Sequence, residues 1–118
     1  MLCRVVGGEV ADRQPVALDD ELREIARYFY ALKDRLRLRI LVALADVGEM
    51  TVTELSRALR ISQPLVSFHL RPLRALGLVE VRRAGREVYC SLNMLEIHRR
   101  HDQFIKLLTR AAESENQT

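Results

Sequence analysis

The chain has 118 residues, 48% of them apolar, with 19 basic against 16 acidic side chains, a length that suits one domain around one core. Two cysteines, Cys3 and Cys90, are too few for a disulfide framework, and no apolar run approaches the ~20 residues needed to cross a bilayer. Met1–Val10 has no sustained apolar core of the signal-peptide kind, so a cytoplasmic chain without membrane partners is expected.

Residues 1–18 show no clear period and read as a flexible arm, with Val5, Val6 and Val10 as its apolar points. The domain proper is expected over 19–112. Asp19 and Asp20 are placed to cap a first helix, in which Leu22, Ile25, Phe29 and Leu32 form one apolar stripe. Asp34 opens a second helix that turns Leu36, Ile40, Leu41 and Leu44 inward and ends at Gly48. Thr51-Val52-Thr53-Glu54 has the form of a capping box, followed by a short third helix burying Val52, Leu55 and Leu59. Arg60-Ile61 makes a tight turn. Ser62 then caps a fourth helix, Ser62–Leu76, with Pro64 in its first turn and Val66, Leu70 and Leu73 facing the core.

Gly77 stops that helix. Leu78–Arg83 and Arg86–Leu92 alternate as strands around an Ala84-Gly85 turn, forming a two-stranded hairpin. Asn93 caps a last helix running to about Ala112, along which Met94, Ile97, His101, Phe104, Leu108 and Ala111 keep a three–four alternation. Such a narrow seam suits packing against another helix. A frayed tail, 113–118, completes the chain. The expected fold is mainly α with a two-stranded β-hairpin, in the order α-α-α-α-β-β-α: a winged helix-turn-helix.

Charge placement gives this fold a function. From Arg57 to Arg86 there are seven arginines against the single acid Glu80, a local net charge of +6 in a chain whose total is only +3. With Val66, Leu70 and Leu73 spent on the core, the fourth helix leaves Ser62, Gln63, Ser67, Arg71 and Arg74 for the major groove of double-stranded DNA. The hairpin offers Arg82, Arg83 and Arg86 to the flanking backbone or minor groove. Phe68 falls beside the reading face, either to meet a thymine methyl or to fill space under the wing. The competing class is a winged helix that binds only protein. No arrangement of nucleophile, base and acid suggests an enzyme.

The sequence also resembles the ArsR family of bacterial regulators. The carriers are Leu32-Lys33-Asp34-Arg35-Leu36-Arg37-Leu38-Arg39-Ile40-Leu41, Ser62-Gln63-Pro64-Leu65-Val66-Ser67-Phe68-His69-Leu70, Leu76-Gly77-Leu78-Val79 and Gly85-Arg86-Glu87-Val88-Tyr89. They lie in order across roughly residues 20–112. Arg35 stands where the family usually has Pro, and Phe68 where it usually has a polar residue. The resemblance implies a repressor acting as a homodimer on an inverted-repeat operator. The dimer would be joined through the first and last helices, here Leu22, Ile25, Phe29, Ile97, His101, Phe104 and Leu108.

Members of that family commonly release DNA on binding a metal ion or oxidant. The third-helix Cys-x-Cys site is replaced here by Thr51 and Thr53. Of the last-helix site, Glu96 and His98 match the first pair, but Thr109 and Ala112 cannot supply the second. A repressor without a cofactor is therefore expected. The alternatives are Zn²⁺ or another divalent metal at His98, His101 and Asp102, or a thiol switch between Cys3 and Cys90. Cys90 otherwise reads as a small core residue, and His69 as a buried or half-buried hydrogen-bonding one in preference to a base reader.

Overall fold

The computed structural model describes residues 16–116 and shows a winged helix-turn-helix. Most of the expected arm, with Cys3 and the valines, lies outside these residues, and so does any link from Cys3 to Cys90.

Helix α1 spans Val16–Leu32, starting ahead of the expected Asp19-Asp20 cap. Those two aspartates lie within the helix, where both pair with Arg23 at 2.8 and 3.0 Å. Acids suit the first turn of a helix as well as its cap, because both sites face the unpaired amides, so composition alone did not fix the start. Helix α2, Arg35–Val47, does begin at its expected cap: Asp34 accepts from the amides of Leu36 and Arg37. Gly48 closes it at φ 94°, a conformation costly for any residue with a Cβ.

Strand β1, Met50–Thr51, was not expected; two residues carry no period to read. It leads directly into α3, Val52–Leu59, whose capping box is complete: Thr51 Oγ1 accepts from the Glu54 amide and Glu54 Oε1 accepts from the Thr51 amide. Arg60 then reverses the chain in the left-handed region, at φ 59°, and the Ile61 amide reaches back to the Ser56 carbonyl. Helix α4, Gln63–Ala75, follows at once and continues through Pro72, which leaves the Phe68 carbonyl without its usual helical donor.

Strands β2, Val79–Ala84, and β3, Glu87–Leu92, make the wing. Ala84 pairs with Glu87, so the turn is Gly85-Arg86, one residue later than expected; Gly85 takes the positive φ, 61°, that such a loop demands. The sheet has three strands rather than two, in the order β1-β3-β2, because Met50 and Thr51 pair with Cys90 and Tyr89. Helix α5 runs Met94–Asn116, past the expected end at Ala112 and through most of the tail read as frayed. Nothing between Ala111 and Asn116 breaks a helix; neither Gly nor Pro occurs there.

One core joins all of these elements. Tyr28, Ile40, Leu44, Leu55, Val66, Leu73, Leu78, Val79 and Cys90 are fully buried in it. Beyond Phe104 most α5 side chains from Ile105 to Ser114 are exposed, although Arg110 still pairs with Glu21 of α1 at 3.0 Å.

Cys90 is the small core residue its strand position implied. Burial pushes its thiol up to about 11, with Arg74 offsetting part of the rise. The reactive thiolate is thus scarce at neutral pH, and native Cys90 should react with an aromatic disulfide reagent at pH 8 at least ~100-fold slower than in urea. Similar rates in both would show an accessible thiol. Thr51→Ala removes one half of the capping box and should lower unfolding stability by about 1 kcal/mol in urea titrations. An unmoved midpoint would mean the cap contributes nothing.

Candidate nucleic-acid interface

Helix α4 owes its orientation to a buried stripe. Val66, His69, Leu70 and Leu73 face the core, so Gln63, Ser67, Arg71 and Arg74, spaced four, four and three residues apart, form the opposite, exposed stripe. Ser62 serves as the cap, its Oγ accepting from the Leu65 amide at 3.3 Å. Gln63 Nε2 donates to Thr53 Oγ1 at 3.2 Å, tying the start of α4 to α3. Phe68 is 53% exposed, with His69 edge-on at 5.2 Å, which is incompatible with its being a packed filler under the wing. His69 is buried as expected: its Nδ1 accepts from Arg37 Nε at 3.3 Å, with Asp34 at 3.8 Å.

The C-terminal end of α4 is fixed from behind. Arg100 on α5 donates to the Leu76 carbonyl at 3.0 Å while pairing with Glu96 at 2.9 Å and Glu24 at 3.7 Å. Strand β2 then starts three residues on, at Val79, so the same contact sets the root of the wing.

Outside α2, whose Arg35, Arg37 and Arg39 have no carboxylate partner among the described residues, the arginines divide by location. Among the described residues Arg23, Arg27, Arg99, Arg100 and Arg110, all on α1 or α5, pair with carboxylates. Within 57–86, Arg57, Arg60, Arg71, Arg74, Arg83 and Arg86 have no carboxylate partner among the described residues, and all six are exposed. The exception is Arg82. Its Nε and Nη2 grip both oxygens of Glu49 at 2.9 and 2.8 Å, and its guanidinium lies 4.4 Å from the centre of the Tyr89 ring. Arg82, expected to be free for DNA, is therefore already engaged within the chain. Glu49 has no counterpart in the sequence reading, since it adjoins a strand that periodicity does not reveal.

The expected dimer seam is partly closed inside the protomer. Ile25 is 6% exposed, and Ile97 is half-buried against the core. Phe29 meets Phe104 edge-on at 4.9 Å, and Tyr28 Oη lies 3.1 Å from His101 Nδ1. These contacts dock α5 on its own α1. Leu22 and Leu108 stay exposed, as do Ile105 and Leu95, which sequence reasoning missed because they fall off the strict three–four stripe.

The candidate metal ligands are not gathered. His101 turns one ring nitrogen to Tyr28, Asp102 pairs with Lys106 at 3.0 Å, and His98 shares a shallow hollow with Asp102. Glu96 accepts from Arg99 at both oxygens and from Arg100, and these hydrogen bonds hold its carboxyl below the usual carboxylate range. Among the described residues no three His, Cys, Asp or Glu side chains lie together as a metal site would need. Among them, too, no helix is long and apolar enough to cross a membrane.

The profile of the bacterial regulatory proteins of the arsR family matches residues 34–81, from the cap of α2 into β2. The chain is 42% identical over 85 residues to the transcriptional repressor SmtB homolog of Synechocystis sp., covering 71% of this chain but only 64% of that one. It is 40% identical over 87 residues to the HTH-type transcriptional regulator NmtR of Mycobacterium tuberculosis, covering 73% and 72% of the two chains. A homodimeric winged helix-turn-helix DNA-binding domain from Mycobacterium bovis superposes with a TM-score of 0.65 at 30% identity, covering 85% of this chain and 88% of that one.

Proposed function

The chain belongs to the arsR family of bacterial regulatory proteins, and from that premise we propose that it is a double-stranded DNA-binding transcriptional repressor, acting as a homodimer on an inverted-repeat operator. The observation that carries this reading is the sorting of arginines. Arginines are paired on α1 and α5, whereas on the helix-turn-helix and wing all but Arg82 have no carboxylate partner among the described residues, and phosphate is the partner that would neutralise them.

In this reading Gln63, Ser67, Phe68, Arg71 and Arg74 enter the major groove and set sequence preference, Phe68 through a thymine methyl. Arg83 and Arg86 meet the backbone beside it and set affinity. Ser62 acts through the cap. The exposed apolar residues Leu22, Leu95, Ile105 and Leu108 on α1 and α5 support a second copy as the partner. Two α4 helices would then enter successive major grooves about 34 Å apart.

Operation without a metal ion is supported by how the would-be ligands are occupied. Thr51 caps α3, Glu96 holds two guanidiniums and His101 contacts Tyr28.

The test is binding to duplex DNA from the protein's own promoter, titrated with salt. Log affinity should fall linearly with log salt, and Arg83→Ala and Arg86→Ala should each flatten the slope by about 0.9 per protomer. A slope indifferent to both would remove the wing from the interface. Ser67→Ala should shift sequence preference while leaving random-duplex affinity nearly unchanged; the reverse pattern would misplace the reading face. Leu108→Glu should convert the dimer to a folded monomer on size-exclusion chromatography, and a variant that stays dimeric would put the interface elsewhere. Zn²⁺ or a chelator should leave operator affinity unchanged.

A further inference from the structure

The wing carries three arginines, yet the structure treats one differently. The sheet order β1-β3-β2 sets Thr51 beside Tyr89 and Tyr89 beside Arg82. Glu49 lies two residues before Thr51, on the far side of β3 from Arg82. The guanidinium therefore reaches across the Tyr89 ring, 4.4 Å from its centre, and meets both Glu49 oxygens at 2.8 and 2.9 Å. A planar guanidinium fits a carboxylate through two parallel N–H bonds while its face rests on an aromatic ring, and here both fits are met at once. Arg83 and Arg86, next along the hairpin, have neither partner among the described residues.

From this geometry we infer that Glu49 is a positioning residue of the wing, holding Arg82 across Tyr89 and withholding it from DNA phosphates. Each protomer then presents Arg83 and Arg86 to the backbone, and not Arg82. The inference rests on the DNA-binding reading above and deepens it.

Two further points support it. An isolated exposed ion pair is easily broken, but a bidentate guanidinium–carboxylate pair stacked on a ring is the geometry in which such a pair does hold. A phosphate approaching Arg82 would also have to displace a carboxylate already on both N–H groups, and would meet that carboxylate's own negative charge. The hydrogen bonds from Arg82 hold the Glu49 carboxyl below the usual carboxylate range. The pairing is thus in force at neutral pH and is released only as pH falls through that lowered value.

The experiment is a salt titration of full-length protein on random-sequence duplex DNA, followed by fluorescence anisotropy. It compares wild type with Arg82→Ala, Glu49→Gln and the double variant. Arg82→Ala should keep the wild-type slope, Glu49→Gln should steepen it by about 0.9 per protomer by freeing one cation, and the double variant should return to wild type. A slope flattened by Arg82→Ala, or left unchanged by Glu49→Gln, overturns the role of Glu49 while leaving DNA binding intact. Failure of wild-type protein to bind any duplex overturns the DNA-binding reading and this role with it. Glu49→Asp, which keeps the charge, should retain the wild-type slope; the steepened slope of Glu49→Gln in that variant would also overturn the inference.

Discussion

Helix α4 has one face to spend on the core, and the structure depends on how that face is spent. Val66, Leu70 and Leu73 are buried among Ile40, Leu44, Leu55 and Leu59 from α2 and α3. Each buried aliphatic side chain of this size contributes about 1.5–3 kcal/mol relative to exposure, so rotating α4 about its axis would forfeit several of them together. The exposed stripe Gln63–Ser67–Arg71–Arg74 is the geometric complement of that burial. What α4 shows to a partner is set by what it hides.

Position along the axis needs a second constraint, supplied by charge. The Arg100 side chain is 13% exposed; its Nε donates to the Leu76 carbonyl and to Glu96, and its Nη1 lies 3.7 Å from the Glu24 carboxylate. A guanidinium taken this far from water must be paired, and removing one partner of such a group costs far more than the pair contributes by itself. The end of α4, the start of the wing and the two long helices consequently share one fixed point. In the proposed dimer, this point lies between the surfaces that join the copies and the surfaces that meet DNA.

The sheet shows how a minor element can redirect a functional residue. Two residues of β1 complete the edge of the wing and bring Glu49 within reach of Arg82. A hairpin without that third strand would present three equivalent arginines. With it, one cation becomes part of the scaffold and two remain for a partner, which changes the expected electrostatics of the wing without changing its sequence.

The local signals in the sequence were enough for the winged helix-turn-helix order and for the buried and exposed stripes of α4. Caps at Asp34, Thr51 and Ser62, stops at Gly48 and Gly77, and apolar periods of three and four are short-range features that a linear sequence displays directly. They also marked Cys90 as a core residue and His69 as buried or half-buried. The sequence left undecided whatever depends on contacts between distant residues. It did not reveal β1, too short to carry a period, nor the Glu49–Arg82 pair that β1 makes, whose members are 33 residues apart. It offered Phe29, His101 and Phe104 as a seam between copies, because a periodic stripe specifies that a helix packs but not on which helix. The tertiary structure brings these three rings into contact within the protomer, with His101 still exposed, Phe29 and Phe104 half-buried, and Leu22, Leu95, Ile105 and Leu108 outside the cluster. Local chemistry determined the elements and their faces; which charge meets which, and which stripe meets which, was decided only when the chain closed on itself.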